Sequence, residues 1–264
     1  MLMMFEAILL GMLQGLTEFL PVSSHAHLIL MSWFFGWGGL VDSLTFSVAT
    51  HVGTLLALVS YFWKDWIALL KTIRMKDGLA WHIIVATIPA ALTGAIFYDT
   101  IAGMRSPVLI VFALSVVGVV MLLVERTKKD KPFEKIGRKD AVIIGVAQAL
   151  AFIPGVSRSG ITIVAGLMCG FQREASARFS FLLAAPIVAG ASIFETRKLM
   201  SVGGLDYLDY NIFIAGIIAS AIAGHLAIKY LLTFFRTYSL RPFAYYRFIL
   251  AFVIIVTVWI RAAG

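Results

Sequence analysis

The sequence predicts an all-α integral membrane protein, and three observations carry the prediction: an apolar composition, a series of apolar stretches of spanning length, and two proline-broken polar motifs in apolar surroundings. Of the 264 residues, 61% are hydrophobic and 14% charged, with a mean hydropathy of +0.94; a soluble domain carries about 25% charged residues. A bilayer core takes about 20 mostly apolar residues per helix. Such stretches run over residues 44–63, 80–98, 107–124, 179–194, 211–232 and 243–260, which gives six predicted spans. The loops between them leave no room for a soluble domain, so residues 1–264 are read as a single membrane domain.

The net charge of +8 does not point to nucleic acid, because the basic residues sit in loops rather than on one face. Lys64, Lys71, Arg74 and Lys76 crowd one loop, and Lys128, Lys129, Lys131, Lys135, Arg138 and Lys139 another. Clusters of this kind mark cytoplasmic segments, and two spans separate them, so both are expected on one side. Met1–Leu13 lacks a basic n-region and no small-residue cleavage site follows, so the N-terminus is expected to stay in the mature protein. The lone Cys169 excludes a disulfide framework and a multi-cysteine metal site, and it reads as a small apolar helix residue.

Two apolar regions, 5–37 and 141–171, exceed one span but are too short for two. The first is broken at Phe19-Leu20-Pro21-Val22-Ser23-Ser24-His25, the second at Ile153-Pro154-Gly155-Val156-Ser157-Arg158-Ser159-Gly160. Backbone groups freed at such breaks need partners in protein or in a water-filled cavity, so each region is expected to form a re-entrant helical hairpin buried among the spans. At an offset of 134 residues the two regions match at Ala7/Ala141, Gly11/Gly145, Gln14/Gln148, Leu16/Leu150, Val22/Val156 and Ser23/Ser157. Phe46-Ser47 matches Phe179-Ser180 at 133. The chain therefore reads as a repeat, 1–127 and 141–264, joined by the basic cytoplasmic loop 128–140. Each half is one re-entrant hairpin and three spans. Three is odd, so the second half is inverted, and the two hairpin tips are expected to meet near the midplane. Arg197 and Lys198 fall on the outer side in this arrangement, against the charge rule.

The chemistry-bearing residues cluster at the breaks. Gln14 and Glu18 lie one turn apart on one helix face and are followed by Ser23, Ser24, His25 and His27. A carboxylate inside an apolar segment requires a polar cavity or a partner. The second cluster is Ser157-Arg158-Ser159 with Thr162, flanked by Gly155 and Gly160. The arginine fork suits bidentate phosphate binding, and serine hydroxyls and helix N-terminal N–H groups add anion donors. The same residues also suit a buried Glu18–Arg158 ion pair. His51 lies in a span and reads equally as a cavity residue or a packing histidine; His82 and His225 read as structural, and Glu6 as interfacial.

At these residues the sequence resembles the undecaprenyl-pyrophosphate phosphatase, or bacitracin-resistance, family. The family's first motif is met by Gln14, Glu18, Pro21-Val22-Ser23-Ser24 and His27; the second, Pro-Gly-x-Ser-Arg-Ser-x-x-Thr, runs from Pro154 to Thr162. His25-Ala26 stands where many relatives carry Thr-Gly. The resemblance implies removal of the terminal phosphate of undecaprenyl pyrophosphate, returning the carrier lipid to cell-wall synthesis. It also implies a divalent cation (Mg²⁺ or Ca²⁺) and a bacterial inner-membrane location with the site open to the periplasm; a homodimer is compatible with it. Arg158 is assigned to the phosphates, with Ser23, Ser157, Ser159 and Thr162 as further donors, and Glu18 with Gln14 to the cation. The nucleophile stays open among Ser24 activated by His27, His27 itself, and a water activated by Glu18 or His27. The rival class is a transporter or lipid flippase, since inverted repeats with broken helices also build transporters.

Overall fold

A computed structural model describes residues 2–35, 37, 43–75, 78–104, 106–201 and 209–263. These form twelve α-helices and no named strand. They are α1 (Leu2–Phe19), α2 (Ser24–Phe35), α3 (Leu44–Tyr61), α4 (Trp63–Thr72), α5 (Leu79–Ile96), α6 (Tyr98–Gly103), α7 (Pro107–Val124), α8 (Arg138–Ala149), α9 (Arg158–Met168), α10 (Arg173–Ser201), α11 (Tyr210–Thr237) and α12 (Arg241–Ala263). Several starts are written locally. Ser43 accepts the Phe46 N–H at 3.1 Å before α3, Pro107 opens α7, and Asp209 accepts from Asn211 and Ile212 before α11.

Among the described residues six helices are long and apolar enough to cross a membrane: α1, α5, α7, α10, α11 and α12. The predicted spans 80–98, 107–124, 179–194, 211–232 and 243–260 fall on the last five. The predicted span 44–63 falls on α3, and the chain turns by 73° into α4 at its end. Lys64 and Asp65 explain the turn: α4 is amphipathic, and its Asp65 is paired with Arg178 at the head of α10. α1 is among the six by length and composition, and the bent pair α3–α4 would make a seventh.

Packing is set by small residues. α1 runs alongside α11 in the same direction, and a Cβ on Gly11 would lie 2.4 Å from the Gly216 carbonyl oxygen. α8 runs alongside α5, again in the same direction, and a Cβ on Gly145 would lie 2.5 Å from the Ala86 carbonyl oxygen. Only glycine admits such backbone approach. The ring of Phe19, at the end of α1, lies against Gly224, half-way along α11. α7 and α12 are antiparallel, with Leu114 beside Arg247 and Gly118 beside Ala244.

The two basic loops come together at one end of the bundle, as the charge pattern leads one to expect. Arg178 bonds Asp65 and stacks over Phe133 at 4.5 Å. The buried carboxylate of Glu125 receives Arg173 and the Leu240 N–H, at 2.8 Å for the latter, and the 125–135 segment is stitched to 170–172 by Lys131 N–H to Gly170 (3.0 Å) and Gln172 N–H to Lys131 (2.9 Å). Large apolar side chains such as Val108, Phe112, Ile249 and Phe252 face outward, as suits a lipid solvent rather than water.

Candidate functional site

α1 breaks at residues 20–23 before α2, and α8, with a short 3-10 turn over Leu150–Phe152, breaks before α9. Each break ends in a serine with left-handed φ, Ser23 at 75° and Ser157 at 73°, the only positive-φ non-glycine residues among those described. Such a backbone costs about 1–3 kcal/mol and persists only where surroundings enforce it. Both serines then cap the next helix: Ser157 Oγ accepts the Gly160 N–H at 3.1 Å and Ser23 Oγ the Ala26 N–H at 3.5 Å. Two helix N-termini, those of α2 and α9, therefore begin inside the bundle, where their dipoles favour an anion.

Between them lies Glu18, 7% exposed. Its Oε2 accepts from Gln14 Nε2 (2.9 Å) and Ser24 Oγ (2.6 Å), and its Oε1 is bound by Arg158 Nη2. Arg158 Nη1 also reaches the Ala184 carbonyl at 3.5 Å. The ion pair balances two charges that would each be costly in an apolar interior. Ser159 Oγ donates to the Leu20 carbonyl at 3.0 Å, which joins the two breaks, and lies 3.2 Å from Ser157 Oγ. Thr162 Oγ1 donates to the Arg158 carbonyl (2.7 Å) and lies 2.6 Å from Ser180 Oγ.

The sequence-based pairing of Ser24 with His27 is not formed. His27 Nδ1 lies 2.7 Å from the Ser23 carbonyl, which only accepts, so Nδ1 carries hydrogen. Its Nε2 lies 2.7 Å from the Tyr246 hydroxyl, with the rings stacked at 5.7 Å. Ser24 faces Glu18 instead, while His27 lies against Tyr246 of α12. The side chain of His25 lies outside the described structure. His51 does reach the site: Nδ1 is held by the Ser47 carbonyl at 2.7 Å and Nε2 lies 3.7 Å from Glu18 Oε2. His225 sits on the α3–α11 seam, 2.9 Å from Ser60 Oγ, and His82 lines a pocket at the basic end with Phe133 and Glu134. Glu6 is buried on α1.

Two site neighbours escape the sequence reading. Tyr246 orients His27, and Arg247, with 0% exposure, donates only to backbone carbonyls: Nε to Leu114 (3.1 Å), Nη1 to Pro21 (3.1 Å), and Nη2 to Ala113 (3.3 Å), Gly155 (2.6 Å) and Val156 (3.2 Å). The signal was present, since an arginine inside the apolar stretch 243–260 is as costly as one at 158. Among the described residues no group of three or more His, Cys, Asp or Glu is placed to hold a metal.

Apolar helices of spanning length around a buried carboxylate, arginine and serine set define a multi-pass membrane protein with an internal polar site. The chain belongs to the family described as bacitracin resistance protein BacA, whose model it matches over residues 7–253. It is 49% identical over 259 residues to the undecaprenyl-diphosphatase of Thermodesulfovibrio yellowstonii, covering 98% of each chain. The undecaprenyl-diphosphatases of Moorella thermoacetica (46% over 266 residues, 97% of this chain and 98% of the relative) and Caldicellulosiruptor bescii (44% over 266 residues, 98% of each) are also similar.

Proposed function

We propose that this protein hydrolyses undecaprenyl pyrophosphate to undecaprenyl phosphate and inorganic phosphate, recycling the lipid carrier for cell-wall polymers in a bacterial inner membrane. Near-full-length relatives named undecaprenyl-diphosphatase support the activity. The single observation that carries the chemistry is the meeting of Arg158 with Glu18 across two helix breaks, with Ser24 Oγ on the same carboxylate.

The terminal phosphate competes with Glu18 for Arg158. Its oxygens take the guanidinium fork, the N–H groups at the start of α9, and the hydroxyls of Ser157, Ser159, Ser23 and Thr162. Glu18, released from the ion pair, accepts the Ser24 proton as Oγ bonds to phosphorus and the bridging P–O bond breaks, and undecaprenyl phosphate leaves. Glu18 passes that proton to the departing phosphate, then takes a proton from the water that attacks phosphorus and gives it to Ser24 Oγ as the Oγ–P bond breaks and inorganic phosphate leaves. Attack by His27 requires its Nε2 to give up Tyr246, and direct attack by water uses the same carboxylate.

The donor set fits a hard divalent cation, Mg²⁺ or Ca²⁺. Gln14 Oε1 is a buried oxygen with no hydrogen-bond partner, on the amide whose Nε2 bonds the Glu18 carboxylate. Glu18 and Gln14 would hold the ion, which supplies neutralisation of phosphate charge when bound.

The same proposal takes the two broken pairs, α1–α2 and α8–α9, as re-entrant hairpins of an inverted repeat, 1–127 and 141–264. The matched glycine contacts, the parallel pairs α1/α11 and α8/α5, and the end of α1 half-way along α11 support it. The site then opens away from the basic end, toward the periplasm. Phosphate release by purified protein in detergent tests the activity, with farnesyl and undecaprenyl pyrophosphate as substrates. EDTA should abolish release and added Mg²⁺ or Ca²⁺ restore it; no release under any condition sinks the proposal.

A further inference from the structure

Arg247 stands outside the chemistry just described, and its surroundings are unusual. It is the largest fully buried side chain among the described residues, and its five hydrogen bonds all end on carbonyl oxygens. Three of those carbonyls, Pro21, Gly155 and Val156, belong to the two breaks; two, Ala113 and Leu114, belong to α7. A chain that breaks between two helices inside a bundle carries connecting carbonyls that belong to neither helix and need a donor from elsewhere. Both breaks do this at one place, and a single planar cation with five N–H donors answers both.

We propose that Arg247 is a positioning residue that fixes the register of the two breaks, and thereby the placement of Glu18 and Ser24 on one side against Ser157 and Arg158 on the other. Besides Arg247, the Ser159–Leu20 bond and the Arg158–Glu18 pair cross between the breaks. The pair opens when Arg158 turns to phosphate, and the one hydroxyl that is left cannot hold two loops against both translation and rotation. The guanidinium supplies the further fixed points, and it refers both loops to α7, a spanning helix that takes no part in the chemistry. Tyr246, its chain neighbour, fixes His27 in the same way. An ammonium on the same stem has three donors and no plane, so it cannot serve carbonyls from α7 and both breaks together.

The proposal rests on the phosphatase reading for its activity arm and is independent of it in its structural arm. Spin labels at Leu20→Cys and Ile153→Cys, in a Cys169→Ala background, should give one narrow distance distribution by pulsed electron resonance in the parent and a broad or shifted one in Arg247→Lys. With farnesyl pyrophosphate, Arg247→Lys and Arg247→Met, each without labels, should lose about 100-fold or more in kcat, the scale of a misplacement near 1 Å. KM should change little, because Arg158 and its neighbouring donors remain. The loss in Arg247→Lys with Ser159→Ala should fall short of the product of the two single losses, since both act on one register; a residue that only stabilised the fold would give the full product. An unchanged distance distribution in folded Arg247→Lys overturns the proposal whatever the phosphate assay gives, as does near-parental kcat. If Arg247→Lys loses its helical circular dichroism signal, Arg247 holds the fold rather than the loop register, and the proposal also fails. Absence of phosphate release by the parent counts against the phosphatase reading, and the distance measurement alone then decides on Arg247.

Discussion

Around the break of the first pair stand Gln14, Glu18, Ser24 and His27; at the matching places of the second stand Gln148, Phe152, Arg158 and Ile161. The backbones agree closely. Ser23 and Ser157 share a left-handed φ, and Gly11 and Gly145 each press on a carbonyl of a parallel helix. The side chains do not agree. The first pair carries the carboxylate and the imidazole, the second the guanidinium, and the glutamine of the second pair, Gln148, has no hydrogen-bond partner for either amide atom. Two breaks of like backbone thus yield a complementary site through side chains that differ, the breaks being joined by the Ser159–Leu20 bond. Either charge alone would be an unpaired ion in an apolar interior.

If the division of labour is right, removing the base on the first pair has the largest effect. Glu18→Gln should lower kcat/KM for farnesyl pyrophosphate by about 10⁴-fold, the upper end for a positioned base. Arg158→Lys, which keeps the charge but not the fork, should cost about 10²–10³-fold. A loss below tenfold in either folded variant breaks the comparison at its centre.

The nucleophile sharpens it further. Ser24→Ala should abolish turnover while substrate still binds, and rapid acid quenching of the parent should trap an acid-stable phosphoserine. An acid-labile phosphoenzyme lost in His27→Gln would move the attack to His27, and no phosphoenzyme at all would move it to water.

The shared backbone predicts equal sensitivity where the chemistry predicts inequality. Gly11→Ala and Gly145→Ala should each lower stability by about 1–3 kcal/mol, since a Cβ at either place meets backbone that cannot swing aside. Thermal unfolding of the two variants measures this. A shift in only one would show that the two frames are not equivalent.

Tyr246→Phe tests a contact with no counterpart at Ile161. It removes one hydrogen bond to His27, worth about 1 kcal/mol, and should cost about fivefold in rate. The smallest effect concerns acid. At the basic end, burial pushes the Glu125 carboxyl upward, but Arg173, the Leu240 N–H and Lys129 outweigh it and hold the group below the ordinary carboxylate range. A depressed folded value means that its stabilisation is complete above the unfolded pKa, about 4.3, and fades as pH falls through the lower folded value. The parent should lose thermal stability on acidification in that window, and Glu125→Gln should lose less over the same range. Equal slopes would remove Glu125 from the account.

Much of this was legible in the chain because apolar surroundings make polar residues conspicuous. The breaks at Pro21 and Pro154, the Glu18 and Arg158 charges and the common end of the basic loops all stood out for that reason. What escaped needed three dimensions. Nothing in the spacing of Ser24 and His27 tells that the hydroxyl faces back to Glu18 while the ring is carried onto α12. The 73° turn after Tyr61 falls at the predicted end of the span 44–63, but the stretch after it, read as a basic loop, forms the amphipathic helix α4. Arg247 lay in plain view but between residues of a convincing span, and only its carbonyl partners reveal a purpose.

The neighbour of α1 is α11, and that has a consequence for how the protein is made. α1 is long enough to cross a bilayer unaided, yet Phe19 comes to rest half-way along α11. Gly216, which receives Gly11, is synthesised about 200 residues later, so at about 5–20 residues per second the first pair waits about 10–40 s for its seat. Glu18 waits as well, without Arg158, during more than half of translation. The seat of the first helix is therefore supplied by one of the last to emerge, whereas α8 finds α5 already made, so the two broken pairs meet their neighbours in opposite order of synthesis.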